Sequence, residues 1–266
     1  MVTVREAATV MLLRDDPDLH VFMLRRNLHA DFVGGAFVFP GGAVDPGDRS
    51  PELLRRSQGR TEAEADGLLG VAEGGLGVWV AAIREAFEEA GVVLARSAST
   101  GEPVELTDPP IADRLAVARG AVAHGAQPFL DVVRDHDLVL DTGALHLFSR
   151  WITPPGNSRR YDTWFFVAAA PEGHAYVHDD GETVASEWVR PADALERGRT
   201  GDIELIFPTM RSLTVLARFD TAVALLDTLA RLGPTPVTAM IRDFNGARVP
   251  LPGDERDKGE VAECLT

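Results

Sequence analysis

The sequence predicts an α/β fold, a mixed β-sheet covered by helices. Paired apolar runs of strand length flank turn residues near the start, and similar runs recur in the second half. Between them, Val78–Ala90 carries apolar residues at helical spacing (Val80, Ile83, Phe87, Ala90) and ends at Gly91, where a glycine stops a helix. Strands and helices therefore intermix along the chain, with hairpins as well as crossovers. A length of 266 residues, 45% of them hydrophobic, is enough to bury a large core without staples.

Taken in order, Ala7–Leu13 and His20–Arg25 are two runs around Asp15-Asp16-Pro17-Asp18, which reads as a hairpin. Ala36–Phe39 is a third short strand, bracketed by Gly34-Gly35 and by Pro40-Gly41-Gly42, where paired glycines allow a tight turn or a close approach. Asp45–Gly77 changes character, being rich in glycine and charge, and reads as an insertion with one or two short helices at Pro51–Arg56 and Thr61–Leu69. Helices follow at Ile111–Ala123 and Phe129–Val133, and strands at Ala144–Trp151, Asp162–Ala170 and Thr183–Val189. Pro191–Arg197, Thr209–Phe219 and Thr221–Leu232 read as helices, and Pro234–Thr266 as a loosely packed tail. The apolar stripe along 209–232 needs cover, for which a homodimer contact is one candidate.

Acidic residues outnumber Lys plus Arg by 41 to 26, for a net charge of -15. That balance argues against nucleic acid or an anionic membrane as partner, since no excess of cations is available to replace counterions. A phosphate substrate remains compatible, because carboxylates hold divalent cations that in turn bind phosphates. Cys264 is the single cysteine, which excludes disulfide frameworks and cysteine-based zinc sites. Neither a spanning apolar run nor a secretory leader is visible, so the expected location is the cytoplasm.

The chemistry concentrates in Arg84-Glu85-Ala86-Phe87-Glu88-Glu89-Ala90-Gly91-Val92. On a helix Glu85, Glu88 and Glu89 project from one side, opposite Ile83, Phe87 and Ala90, and Arg84 lies one turn before Glu88. Two readings of that side stand: a solvated acidic face, or a holder for a hard cation such as Mg²⁺ or Mn²⁺. Phe39-Pro40-Gly41-Gly42 favours the second. It is a strand ending in a glycine turn that offers a free carbonyl to a metal and N–H groups to a phosphate.

Gly42 together with Arg84–Val92 resembles the Nudix box, G-x5-E-x7-R-E-U-x-E-E-x-G-U, with Ala86 at the first apolar position after Glu85. Forty-two positions separate Gly42 from Arg84 where the box has fourteen, an insertion of 28 residues. Asp48 stands six after Gly42, at the place of the first box glutamate if the insertion loops out after it. A long insertion, Phe32–Gly42, Trp151–Pro154 and Arg159–Thr163 are similar to the Nudix branch that includes acyl-coenzyme A diphosphatases.

The resemblance implies a Nudix-like α/β/α sandwich over residues 1–205, with the insertion at about 45–77, C-terminal helices at 206–233 and a tail at 234–266. It implies metal-dependent hydrolysis of a diphosphate in a small-molecule, nucleoside-diphosphate-linked substrate, with coenzyme A or acyl-coenzyme A leading. ADP-ribose, a nucleotide sugar and NADH are the alternatives, and a non-catalytic nucleotide-binding module is the reading from another class. Glu85, Glu88, Glu89 and the Gly42 carbonyl would hold Mg²⁺ or Mn²⁺, and Arg84 would orient a glutamate. Glu182 is the expected later-loop carboxylate, with Glu187 as second choice. Arg25, Arg26, Arg159 and Arg160 are the candidate phosphate clamps, each with a plain surface reading beside it.

Overall fold

A computed structural model describes residues 2–27, 34–153, 155–174, 176–178, 183–232 and 239–241. The chain opens with the expected hairpin, β1 (Val4–Asp15) and β2 (Leu19–Arg26), then the short strands β3 (Phe37–Val38) and β4 (Gly41–Ala43). The insertion holds a 3-10 turn at Pro46–Arg49, helix α1 (Pro51–Arg55), strand β5 (Ser57–Gln58) and helix α2 (Glu62–Leu69). There follow α3 (Leu76–Ala90), β6 (Ala95–Ser97), α4 (Pro109–Ala123), α5 (Phe129–Asp135), β7 (Leu138–Asp141), β8 (His146–Ile152), β9 (Arg160–Ala169) and β10 (Thr183–Val189). Helices α6 (Pro191–Thr200), α7 (Phe207–Leu216) and α8 (Ala222–Leu232) and strand β11 (Ala239–Ile241) come last.

The main sheet runs β10-β2-β1-β9-β8-β11, with β3 beside β2 and β4 beside β1. It is mixed, since β1 pairs parallel to β9 from Val4↔Arg160 to Leu13↔Ala169 while β1 and β2 are antiparallel. Both faces are covered, which explains why β1 and β2 read as continuous apolar runs rather than as alternating patterns. Ala8, Val10, Leu12, Phe22, Leu24, Trp164 and Phe166 pack with α3 on one side. Met11, Leu13, Val21, Met23, Phe165 and Val167 pack with α6, α7 and α8 on the other. The result is the α/β/α sandwich expected from the sequence.

Two sequence expectations change here. Part of the stripe along 209–232 is consumed within the chain, because Leu213, Val215, Leu216, Ala222, Leu225 and Leu229 join the second core. That part of the stripe needs no second copy to cover it, whereas Met210 and Val223 stay exposed. Inside the expected tail, Ala239–Ile241 pairs parallel to β8 as an edge strand, with Ala239 opposite Arg150; the rest of 233–266 lies outside the described residues.

The insertion is docked rather than dangling. Its strand β5 joins β7 and β6 in a second small sheet, so it pairs into the segment that follows α3. Thr61 and Glu64 close a reciprocal capping box at the start of α2. Near its far end Asp66 Oδ1 accepts from the Gly75 N–H at 2.6 Å, tying the insertion to the start of α3.

Candidate active site

Helix α3 runs beneath the main sheet with every residue from Leu76 to Ala90 buried except Glu88, which is half-buried. A helix enclosed on nearly all sides cannot present a solvated acidic face, so that reading of Glu85, Glu88 and Glu89 is ruled out. Glu85 and Glu89 are only 8% and 6% exposed, values that ionisable residues seldom reach unless paired.

Their pairing is built from both halves of the box. Strand β4 lies antiparallel to β1, with Ala8 opposite Gly42 and Thr9 opposite Gly41, and this sets the glycine bend against the last turns of α3. The Gly41 N–H donates to Glu89 Oε2 at 2.8 Å. Gly42 lies so close to Glu85 that an added Cβ would stand 2.5 Å from Glu85 Oε1, well inside any allowed contact. A side chain at position 42 would therefore displace the Glu85 carboxylate.

Arg84 organises the acids. Its Nη1 donates to Glu85 Oε1 at 2.8 Å and to Glu88 Oε1 at 3.0 Å, and its Nη2 to the Ala43 carbonyl at 2.8 Å. Nε and Nη2 grip both oxygens of Asp48 at 2.8 and 3.0 Å. Asp48 is 1% exposed and sits on the 3-10 turn shortly after β4. Asp48, six residues after Gly42, thus anchors Arg84 through both of its oxygens.

Burial pushes the Glu85 carboxyl up to about 8, against the opposing pull of Arg84, and burial raises that of Glu88 as well. Burial alone would lower the pKa of Arg84, but its bonds to Asp48 and the charges of Glu85 and Glu88 more than reverse this, so it stays a cation. Carboxylates so placed gain from a hard cation with a preference for oxygen, and in that sense the donor set fits Mg²⁺ or Mn²⁺. Among the described residues, no three His, Cys, Asp or Glu side chains are already grouped as a metal shell.

The other candidates divide. Arg26 continues the face of Phe22 and Leu24 at the end of β2, and the exposed Arg25 is paired with Phe37 of β3, a short way before the Pro40-Gly41-Gly42 bend. Arg160 stands opposite Val4, four residues along β1 from the Ala8–Gly42 pair, or roughly 13 Å at strand spacing, and its Nε donates to the Thr153 carbonyl. Arg159 is exposed just before it. The structure thus gathers Gly42, Arg84, Glu85, Glu88 and Glu89 and leaves Arg159 and Arg160 further along the sheet. Glu187 is corrected: it pairs with Met23, on the sheet face away from α3, and both its oxygens accept from Arg197 Nη1 at 2.9 Å. Glu182 lies outside the described residues.

Sequence reasoning missed Arg119 of α4, whose Nε donates to the Glu88 carbonyl at 2.8 Å. No local pattern flags it, because the contact joins two helices.

The model of the NUDT19 Nudix domain matches residues 71–216, more than half of the chain, including all of α3. The chain belongs to the Nudix hydrolase family. Within that family it is 30% identical to the human acyl-coenzyme A diphosphatase NUDT19 over 230 residues, which cover 75% of this chain and 60% of that protein. It is 29% identical to the acyl-coenzyme A diphosphatase NUDT19 of Gallus gallus, with 94% of this chain and 79% of that protein covered. The chain thus spans less than two thirds of the human relative. A Nudix hydrolase crystal structure from Alicyclobacillus acidocaldarius superposes with a TM-score of 0.68 at 27% identity, covering 85% of this chain and 97% of that one.

Proposed function

We propose that the chain hydrolyses the diphosphate of coenzyme A or an acyl-coenzyme A with the help of Mg²⁺ or Mn²⁺. The observation that carries the chemistry is the trio of the buried Glu85 and Glu89, set against the Gly41-Gly42 bend, and the half-buried Glu88, with Glu85 and Glu88 held by Arg84. The substrate class rests on the two diphosphatase relatives.

Glu85, Glu88 and Glu89 would hold the cation, together with the Gly42 carbonyl. Once bound, the cation neutralises diphosphate oxygens and makes water easier to deprotonate. Arg84 fixes the Glu85 and Glu88 carboxylates, and Asp48 fixes Arg84 through both of its oxygens. Arg25 and Arg26 are the nearer candidates for gripping the phosphates, and Arg159 and Arg160 for the more distant part of the substrate. Glu182 is the proposed carboxylate that takes the proton of the attacking water, a role worth ~10²–10⁴-fold in rate. The proposed organisation is a Nudix domain over 1–205 with the helices of 206–233 packed on it; α7 and α8 share the second core with β1, β2 and β9.

The test is a mass-resolved product screen over coenzyme A, acyl-coenzyme A, ADP-ribose, a nucleotide sugar and NADH with Mg²⁺ or Mn²⁺. The expected result is two phosphomonoesters from coenzyme A or its acyl ester, with release stopped by EDTA. Preference for another substrate would replace the substrate class, and no hydrolysis of any would overturn the enzyme reading.

A further inference from the structure

The C-terminal end of α3 has an unusual partner. Gly91, at φ 68°, turns the chain so that its N–H donates to the Phe87 carbonyl and the Val92 N–H to the Ala86 carbonyl. In a continuing helix the Val92 N–H would instead serve the Glu88 carbonyl, so this closure leaves that carbonyl to another donor. Arg119 of α4 supplies it, with Nε at 2.8 Å. The same guanidinium donates through Nη2 to the Val177 carbonyl at 2.7 Å, in the connection between β9 and β10. A Cβ at Gly91 would stand 3.1 Å from Arg119 Nη1, so the guanidinium also lies against the turn itself.

One planar cation thus joins three parts of the fold: α4, the turn of α3 that carries Glu88 and Glu89, and the β9–β10 connection. Its charge suits the negative end of the α3 dipole. We propose that Arg119 is a positioning residue that sets Glu88 and Glu89 for cation binding by bracing the last turn of α3 against that connection. This inference rests on the reading of Glu85, Glu88 and Glu89 as cation ligands.

The test is a Mn²⁺ titration of the full chain without substrate, following free Mn²⁺ by its paramagnetic resonance signal. Wild type, Arg119→Ala, Arg119→Lys and Arg114→Ala are compared, with circular dichroism as the check on folding. Arg114 is an exposed residue of α4 and serves as the charge control. Loss of a partner that orients a ligand typically weakens metal affinity ~10–100-fold. That loss is expected for Arg119→Ala. Arg119→Lys should fall between it and wild type, because a lysine cannot reproduce the fork that spans two carbonyls. Arg114→Ala should match wild type. Equal affinity in wild type and a folded Arg119→Lys or Arg119→Ala would overturn the role of Arg119. Failure of wild type itself to bind Mn²⁺ would instead overturn the ligand reading on which it rests.

Discussion

Gly42 and Glu85 show how little freedom single residues have in this site. Alanine at position 42 would drive its methyl into the Glu85 carboxylate, 2.5 Å from Oε1. Misplacing a reacting group by about 1 Å can cost ~10²-fold, and Gly42→Ala should lower kcat by about that factor. Steady-state rates check this, and a wild-type kcat would mean that Glu85 has room to move. A second prediction follows from burial, which raises the Glu85 carboxyl from 4.5 to about 8. Between those values the folded chain keeps a proton that the unfolded chain has released. The contribution to stability is therefore full below the unfolded value of 4.5 and is lost as pH rises through about 8. In EDTA, the urea midpoint of wild type should fall relative to Glu85→Gln over this range, and Mg²⁺ should restore it. A difference that does not change with pH would contradict the burial argument. Glu85, Glu88, Glu89 and Arg84 are legible in the sequence because three carboxylates at helical spacing share a side with an arginine one turn away. Arg119 is not legible, since its partners Glu88 and Val177 lie 31 and 58 positions away.

At the scale of elements, β4 and β11 read from the sequence as a glycine turn and a tail, while α3 most clearly, the other long helices and β1, β2, β8, β9 and β10 are readable as helical periods or apolar runs. Strands β5, β6 and β7 are not. They have two to four residues each, too few to show a period; β6 and β7 pair across more than forty residues, and β5 is a strand because the insertion brings it beside β7. Gly59 is central to that docking: its φ is 97°, and a Cβ there would stand 2.4 Å from the Gly143 nitrogen. Gly59→Ala should loosen the insertion and speed its cleavage in limited proteolysis, with the cuts mapped by mass. An unchanged cleavage pattern would show that α1 and α2 hold the insertion without β5. Glu187 is lost as a later-loop carboxylate at this scale as well, because the pleat of β10 decides its face and Arg197 claims both its oxygens.

Across the whole molecule, the sheet is the frame that brings distant segments to one place. The parallel pairing of β1 with β9 fixes the middle of the sheet, β4 hangs the glycine bend on β1, and α3 crosses beneath with its carboxylates at that bend. A net charge of -15 and the packing of helices on both faces accompany a site that concentrates acid where a cation would be most effective. The most direct measurement is the rate of phosphomonoester release from an acyl-coenzyme A by Glu88→Gln beside wild type, at saturating Mg²⁺. Removal of a ligand should cost more than the ~10–100-fold typical of an orienting partner, with the fold unchanged by circular dichroism. A rate equal to wild type would contradict the account.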